Sequence, residues 1–140
     1  MTVRDTILAA IAAPLADLAD EVEIEPAGDP IADTALGITM AGDHVIEREA
    51  DLTRRVMTVT IDGFVVGDGG AAPTARRLQL HASVVAALMS DETLGGTVEL
   101  IDDADLRLFT ATLSSARRLA FAQDFEIQFT TSRRDPALPA

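Results

Sequence analysis

The chain has 140 residues, with 23 aspartates and glutamates against 11 arginines and no lysine, a formal net charge of −12. That length suits one domain with a real core, and 48% hydrophobic against 24% charged residues is the balance of a folded chain. The acidity disfavours wrapping nucleic acid or lying on anionic membranes, the lack of cysteine removes thiol catalysis, disulfides and thiolate metal sites, and the lack of lysine removes Schiff-base chemistry and the Walker phosphate loop.

Thr2 to about Ala19 reads as a helix, because Ile7, Leu8, Ile11, Leu15 and Leu18 recur every three or four residues. Thr2 or Asp5 caps its start, and Pro14 kinks or splits it. Its apolar run, Ile7 to Ala16, falls short of the roughly 20 residues a membrane span needs. The uncharged balance of Met1–Asp5 predicts cytoplasmic synthesis rather than secretion. Glu21–Glu25 alternates as a half-buried strand, and Pro26–Asp33 is a loop. Leu36–Met40 and Val45–Glu49 are predicted short strands around an Ala41-Gly42-Asp43 turn. Arg54–Val66 is the clearest strand, with Val56, Thr58, Thr60 and Asp62 on one face and Met57, Val59, Ile61 and Gly63 on the other.

After the Gly67-Asp68-Gly69-Gly70 turn, a helix is predicted from about Pro73 to Ser90, burying Leu78, Ala82, Val85, Leu88 and Met89. It closes at Asp91–Gly96. Val98–Ile101 is then a strand, Asp102-Asp103-Ala104-Asp105 a turn, and Leu106 to about Leu113 and Phe125–Thr131 further strands. Residues 1–132 are expected to form one α+β domain, a mixed, largely antiparallel sheet with two main helices packed against it, and 133–140 a C-terminal tail.

Few residues carry chemistry. The glycine turn fits Gly67 and Gly69 of a dinucleotide fingerprint, but Ala72 stands at the third position, so a plain connection is expected. A calcium loop starting at Asp103 fails, because Leu108 and Ser114 occupy the glycine and glutamate positions. His81 is expected to pack on its helix and His44 to lie in a surface loop; no serine sits in a nucleophile elbow. The five phenylalanines read as core. No catalytic residue, metal or cofactor is expected. The arginine pairs Arg54-Arg55, Arg76-Arg77, Arg117-Arg118 and Arg133-Arg134 suit carboxylate contacts at a protein interface, or plain surface arginines.

Arg77-Leu78 and the stretch from Val84 to Val98, through Asp91-Glu92-Thr93-Leu94-Gly95-Gly96, resemble the helix-to-strand turn of phage tail terminator (tail completion) proteins. Asp124–Pro136 resembles the last strand of that family, with Phe129 where tyrosine is common. Arg54–Val66 sits where the family has a long strand. The resemblance covers mainly residues 54–136.

It implies a non-enzymatic virion protein, assembled in the host cytoplasm, that forms a homo-hexameric ring at the head-proximal end of a long, non-contractile tail. Its partners would be the tail tube protein and the head–tail connector, with DNA passing the lumen unbound and no membrane involved. Residues 1–70 carry a net −10 and residues 71–140 a net −2, which could supply the two complementary patches a ring needs. Arg76, Arg77, Arg117, Arg118, Arg133, Arg134 and Asp135 are the interface candidates. Six copies would carry −72, six times −12, and an acidic bore would repel DNA. The alternatives are another head–tail connector or minor tail protein, or its equivalent in a domesticated phage-like particle, and a small cytoplasmic ligand-binding or enzymatic domain using the Gly67–Gly70 turn.

Overall fold

A computed structural model describes residues 1–140. The first helix, α1 (Val3–Leu15), begins at Thr2, whose hydroxyl accepts from the Asp5 amide at 3.1 Å while the Asp5 carboxylate accepts from the Thr2 amide at 2.8 Å. This reciprocal box satisfies two donors that a helix start leaves open. The helix ends at Leu15 rather than Ala19: Pro14 removes the amide that would bond the Ala10 carbonyl, and beyond it the chain tightens into i→i−3 bonds from Ala16 to Ala13 and from Leu18 to Leu15. Strand β1 (Glu21–Ile24) follows, then β2 (Thr34–Arg48), β3 (Leu52–Val66), α2 (Ala71–Met89), β4 (Leu100–Leu113) and β5 (Ala116–Ser132).

The sheet order is β1-β2-β3-β5-β4, antiparallel throughout except for the β1–β2 pair. With two helices packed on it, this is the expected α+β fold. Burial along β3 alternates as its β-branched sequence requires: Met57, Val59, Ile61, Gly63 and Val65 face the helices. Beside them lie Leu36 and Ile38 of β2 and Phe121, Phe125, Ile127 and Phe129 of β5. Ile7, Ile11 and Leu15 of α1 and Leu80, Val84 and Leu88 of α2 close the layer from above. Each such side chain contributes about 1.5–3 kcal/mol on burial. No helix is long and apolar enough to cross a membrane.

Several expectations change. Leu36–Met40 and Val45–Glu49 belong to one strand, because Gly42 (φ 136°) absorbs a bulge in β2 rather than making a turn. Asp102–Asp105 is likewise no turn: β4 runs through it, with a bulge between Asp103 and Leu106. That strand begins at Leu100 rather than Val98. The reversal falls at Ser114 and Ser115, both with positive φ, and a strand opens at Ala116 where none was predicted. The α2 stripe is rotated: Leu80, Val84 and Leu88 are buried, whereas Leu78 is 48% exposed and Ala82 and Met89 are not buried. Of the phenylalanines, Phe109 is exposed and Phe64 half-buried, stacked edge-on at 6.3 Å on the face away from the helices.

Part of that second face is also covered. The 26–33 loop crosses it, with Pro26 seated over Gly37 and the Ala32 carbonyl on Arg118, and Ala35, Ala120 and Ala122 of the same face are buried. Residues 133–140 form no helix or strand, but the Leu138 carbonyl accepts from the Ser132 amide and the Ala137 carbonyl from the Val3 amide, both at 2.9 Å.

Candidate functional site

Sorting the arginines by partner separates those that hold the fold from those free to meet another molecule. Arg4 and Arg55 converge on Asp43 at 2.7 and 3.4 Å, with the Arg4 guanidinium over the Phe129 ring. Burial pushes the Asp43 carboxyl up, but the Arg4 hydrogen bond and the two positive charges outweigh it and hold the group below its ordinary range. Arg54 bridges Glu47, Glu49 and Glu99 across strands β2 and β3 to the segment before β4. Arg107 grips both oxygens of Asp124, at 2.8 and 3.0 Å, and Thr60 donates to the same carboxylate. The Arg107 bond holds Asp124 low.

The interface candidates divide unevenly. Arg118 is 1% exposed and donates to the Ala32 carbonyl at 2.6 Å, with longer bonds to Ile31 and Leu113, so its charge is committed within its own chain. Arg76 donates to the Val66 carbonyl and Arg133 to that of Glu49, each at 2.9 Å. Arg77 reaches the carbonyls of Phe109 and Ala120 only at 3.4 and 3.5 Å, and its buried Nε has no partner. Asp135 accepts from the Ala137 amide within the tail. Arg117 and Arg134 are exposed and unpartnered, as is Arg48 of β2. Arg48 was not singled out from sequence, because it stands alone rather than in a pair.

Other sequence features resolve into packing. The Gly67 amide donates to the Arg117 carbonyl at 2.9 Å, and a Cβ at Gly67 would lie 2.6 Å from Pro73. The glycine turn is therefore shut against its own helix. His81 sits 2.8 Å from the Gln123 side chain and edge-on to Phe121 at 5.3 Å, the packed histidine expected. His44 lies on β2, exposed, and not in a loop. The Asp91 carboxylate accepts from the amides of Gly95 and Thr93 and from the Thr93 hydroxyl. Those bonds, the Gly95 amide first, hold its carboxyl below the ordinary range and tie the α2 terminus to the segment leading into β4.

A cleft of about 150 Å³ lies between the 26–33 loop and the sheet, lined by Glu21, Glu23, Asp29 and Asp62 with Phe64 and Leu113. Burial pushes the Asp62 carboxyl up, with Asp124 adding to the shift and Arg107 opposing it. No three metal-ligating side chains converge anywhere.

The two sheet edges are the least satisfied parts of the molecule. On one side β4 is outermost; its start is held where the Ile101 amide donates to the Glu92 carbonyl, and from Asp102 to Leu113 no strand pairs with its outer side. Leu106 (41%), Leu108 (49%) and Phe109 (39%) are exposed along it, and Asp102, Asp103 and Asp105 form no ion pair. On the other side β1 covers only Ala35–Ile38 of β2, and the Met40 amide is taken by the Glu25 carboxylate. Along residues 41–48, β2 has no strand on its outer side.

No protein-family profile matches the chain, and no curated protein matches it. Among solved structures, one described as the virion of a native gene transfer agent (GTA) particle contains a chain 16% identical to this one. That alignment covers 91% of this chain and 92% of the other, with a TM-score of 0.28, a level at which a common fold does not follow.

Proposed function

We propose that this chain is a structural virion subunit of the tail terminator type, closing as a hexameric ring on the finished tail tube. The observation that carries the reading is the unit from Arg77 to Val98. A long helix ends at Met89, Asp91 builds the turn with its side chain, and the chain enters an antiparallel strand from Leu100, in the order the terminator resemblance requires. The β5 segment 124–132 and the long β3 strand stand where that resemblance places them. Mechanism on this reading is surface complementarity alone: one ring face matches the last tube ring, the other receives the head connector, and nothing is turned over chemically.

The open face of the sheet supports an acidic bore. Asp62, Asp102, Asp124 and Glu126 lie on it, while the nearby Arg54 and Arg107 are already paired with carboxylates. Like charge keeps DNA off such a wall. Of the interface candidates, Arg117 and Arg134 have side chains free to serve a neighbour; Arg118 does not.

The test is assembly. Light scattering on the purified protein should give about 89 kDa, six times 14.8 kDa, with rings in negative stain. Adding it to polymerising tail tube protein should cap growth and shorten the tubes. Unchanged tube lengths at saturating protein would refute the terminator role.

A further inference from the structure

We infer that copies of this chain join edge to edge, the outer side of β4 in one subunit pairing with residues 41–48 of β2 in the next. The number of copies rests on the ring reading above; the edges themselves do not. Three features converge on a second copy as the occupant. The first is hydrogen bonding: along Asp102–Leu113 of β4 and residues 41–48 of β2, at opposite ends of one sheet, no strand takes the outward-facing backbone groups, and only side chains of Gln123, Arg77 and Arg118 reach β4 carbonyls. An exposed edge of that length is a template for another strand. Because the two edges differ, the contact is head-to-tail, the kind that closes rings.

Charge is the second. Asp102, Asp103 and Asp105 on the β4 edge form no ion pair, though Arg107 lies near Asp105, and Arg48 and Arg134 at the far end of β2 and β5 form none either. Arg134 stands beside the β2–β3 turn, where the neighbouring Arg133 amide donates to the Asp51 carbonyl. Each set is thus unsatisfied at home and complementary to the other.

Register is the third. Through the pairs Asp103↔Phe125, Val59↔Phe125 and Met40↔Val59, Asp103 stands level with Met40, whereas Arg48 stands level with Thr53. If sheet direction is kept from copy to copy, β4 meets β2 antiparallel. A stagger of about six residues, ~20 Å at strand rise, then brings Arg48 beside Asp103. The same stagger lays residues 41–48 along Asp103–Thr110 and sets Ile46 beside the exposed Leu106. Strands of a closed sheet must be tilted and staggered.

Charge-reversal variants of the full chain test this, with size read by sedimentation velocity and folding by circular dichroism. D102R/D103R/D105R and R48E/R134E should each remain folded and fall about sixfold in mass, to the 14.8 kDa monomer. Mixed one to one, each reversed β4 edge meets a reversed β2 edge and each native β4 edge meets a native β2 edge, so the two variants should alternate around the ring and recover the native mass. The chain carrying all five reversals should recover the native mass. Native protein that stays monomeric at high concentration overturns the proposal. So does a β2 variant that still dimerises, which would mean β4 pairing with β4. A native ring indifferent to both sets overturns the edge assignment while leaving the terminator reading intact, and tube capping tests that reading separately.

Discussion

Replacing Arg118 by methionine removes the guanidinium but keeps most of the buried stem. The bond to the Ala32 carbonyl, at 2.6 Å, is charge-assisted and short, worth about 2 kcal/mol net. Those to Ile31 and Leu113, at 3.4 and 3.5 Å, lie at the outer limit and together add about 0.5 kcal/mol. The expected loss is therefore about 2–3 kcal/mol. With an unfolding entropy of about 2.1 cal/mol/K per residue, 1 kcal/mol moves the Tm of a chain this long by about 3.4 °C, so R118M should melt about 7–10 °C lower. Lysine keeps the charge and can still reach one carbonyl, so R118K should lose about half as much. Thermal unfolding by circular dichroism decides it. An R118M variant melting within ~2 °C of the native protein would refute the pin and return Arg118 to the interface.

Three further outcomes follow from the packing and the carboxylates. Gly63→Ala places a Cβ 2.1 Å from a ring carbon of the fully buried Phe121, so the ring must shift within the core; about 2–3 kcal/mol should be lost, read as a Tm drop of about 7–10 °C. Asp43 is held below its ordinary value near 3.8, so its contribution is present above that pH and disappears as pH falls through the lower folded value. Asp43→Asn should cost about 1–2 kcal/mol at pH 7 in urea unfolding, and the gap to native should close in acid. Asp62 has the opposite sign: raised by burial, its charge opposes folding above the ordinary value. Asp62→Asn should raise the Tm at pH 7, with the gain fading as pH falls through the raised folded value and gone below about pH 3.8, where the carboxyl is protonated in both states.

What the sequence made legible was periodic. The alternation in β3 and in residues 125–131 located the sheet's two central strands and their buried faces, because both pair on each side and face helices on one. What stayed hidden were the edges. Asp102, Asp103 and Asp105 resemble a turn, yet an edge strand solvated on both faces tolerates acids, and a bulge takes up the extra residue. Gly42 marks a bulge where the same residue could mark a reversal. The real reversal uses Ser114-Ser115, without the Asn-Gly signal such turns carry. Residues 116–124 gave no alternation because Ala120 and Ala122, on the nominally open face, are buried too. The pairing Arg117-Arg118 suggested two equal surface charges; only a long-range contact with Ala32 tells them apart.

The position of β5 carries a consequence for how the chain acquires its shape. It is the last strand in sequence yet sits between β3 and β4, joining residues 52 and 132 across the helix and strand that intervene. During synthesis β2 and β3 can form their hairpin early, but the fifteen-residue β3 keeps a bare inner side until residue 132 has emerged. Pairing across such separations is slow, and the waiting surface is apolar on the helix-facing side. A chain stopped at Leu113 should therefore collect in aggregates, and full-length folding should slow whenever the β4–β5 hairpin is weakened. The strand that completes the sheet also limits how fast the molecule leaves its aggregation-prone stage.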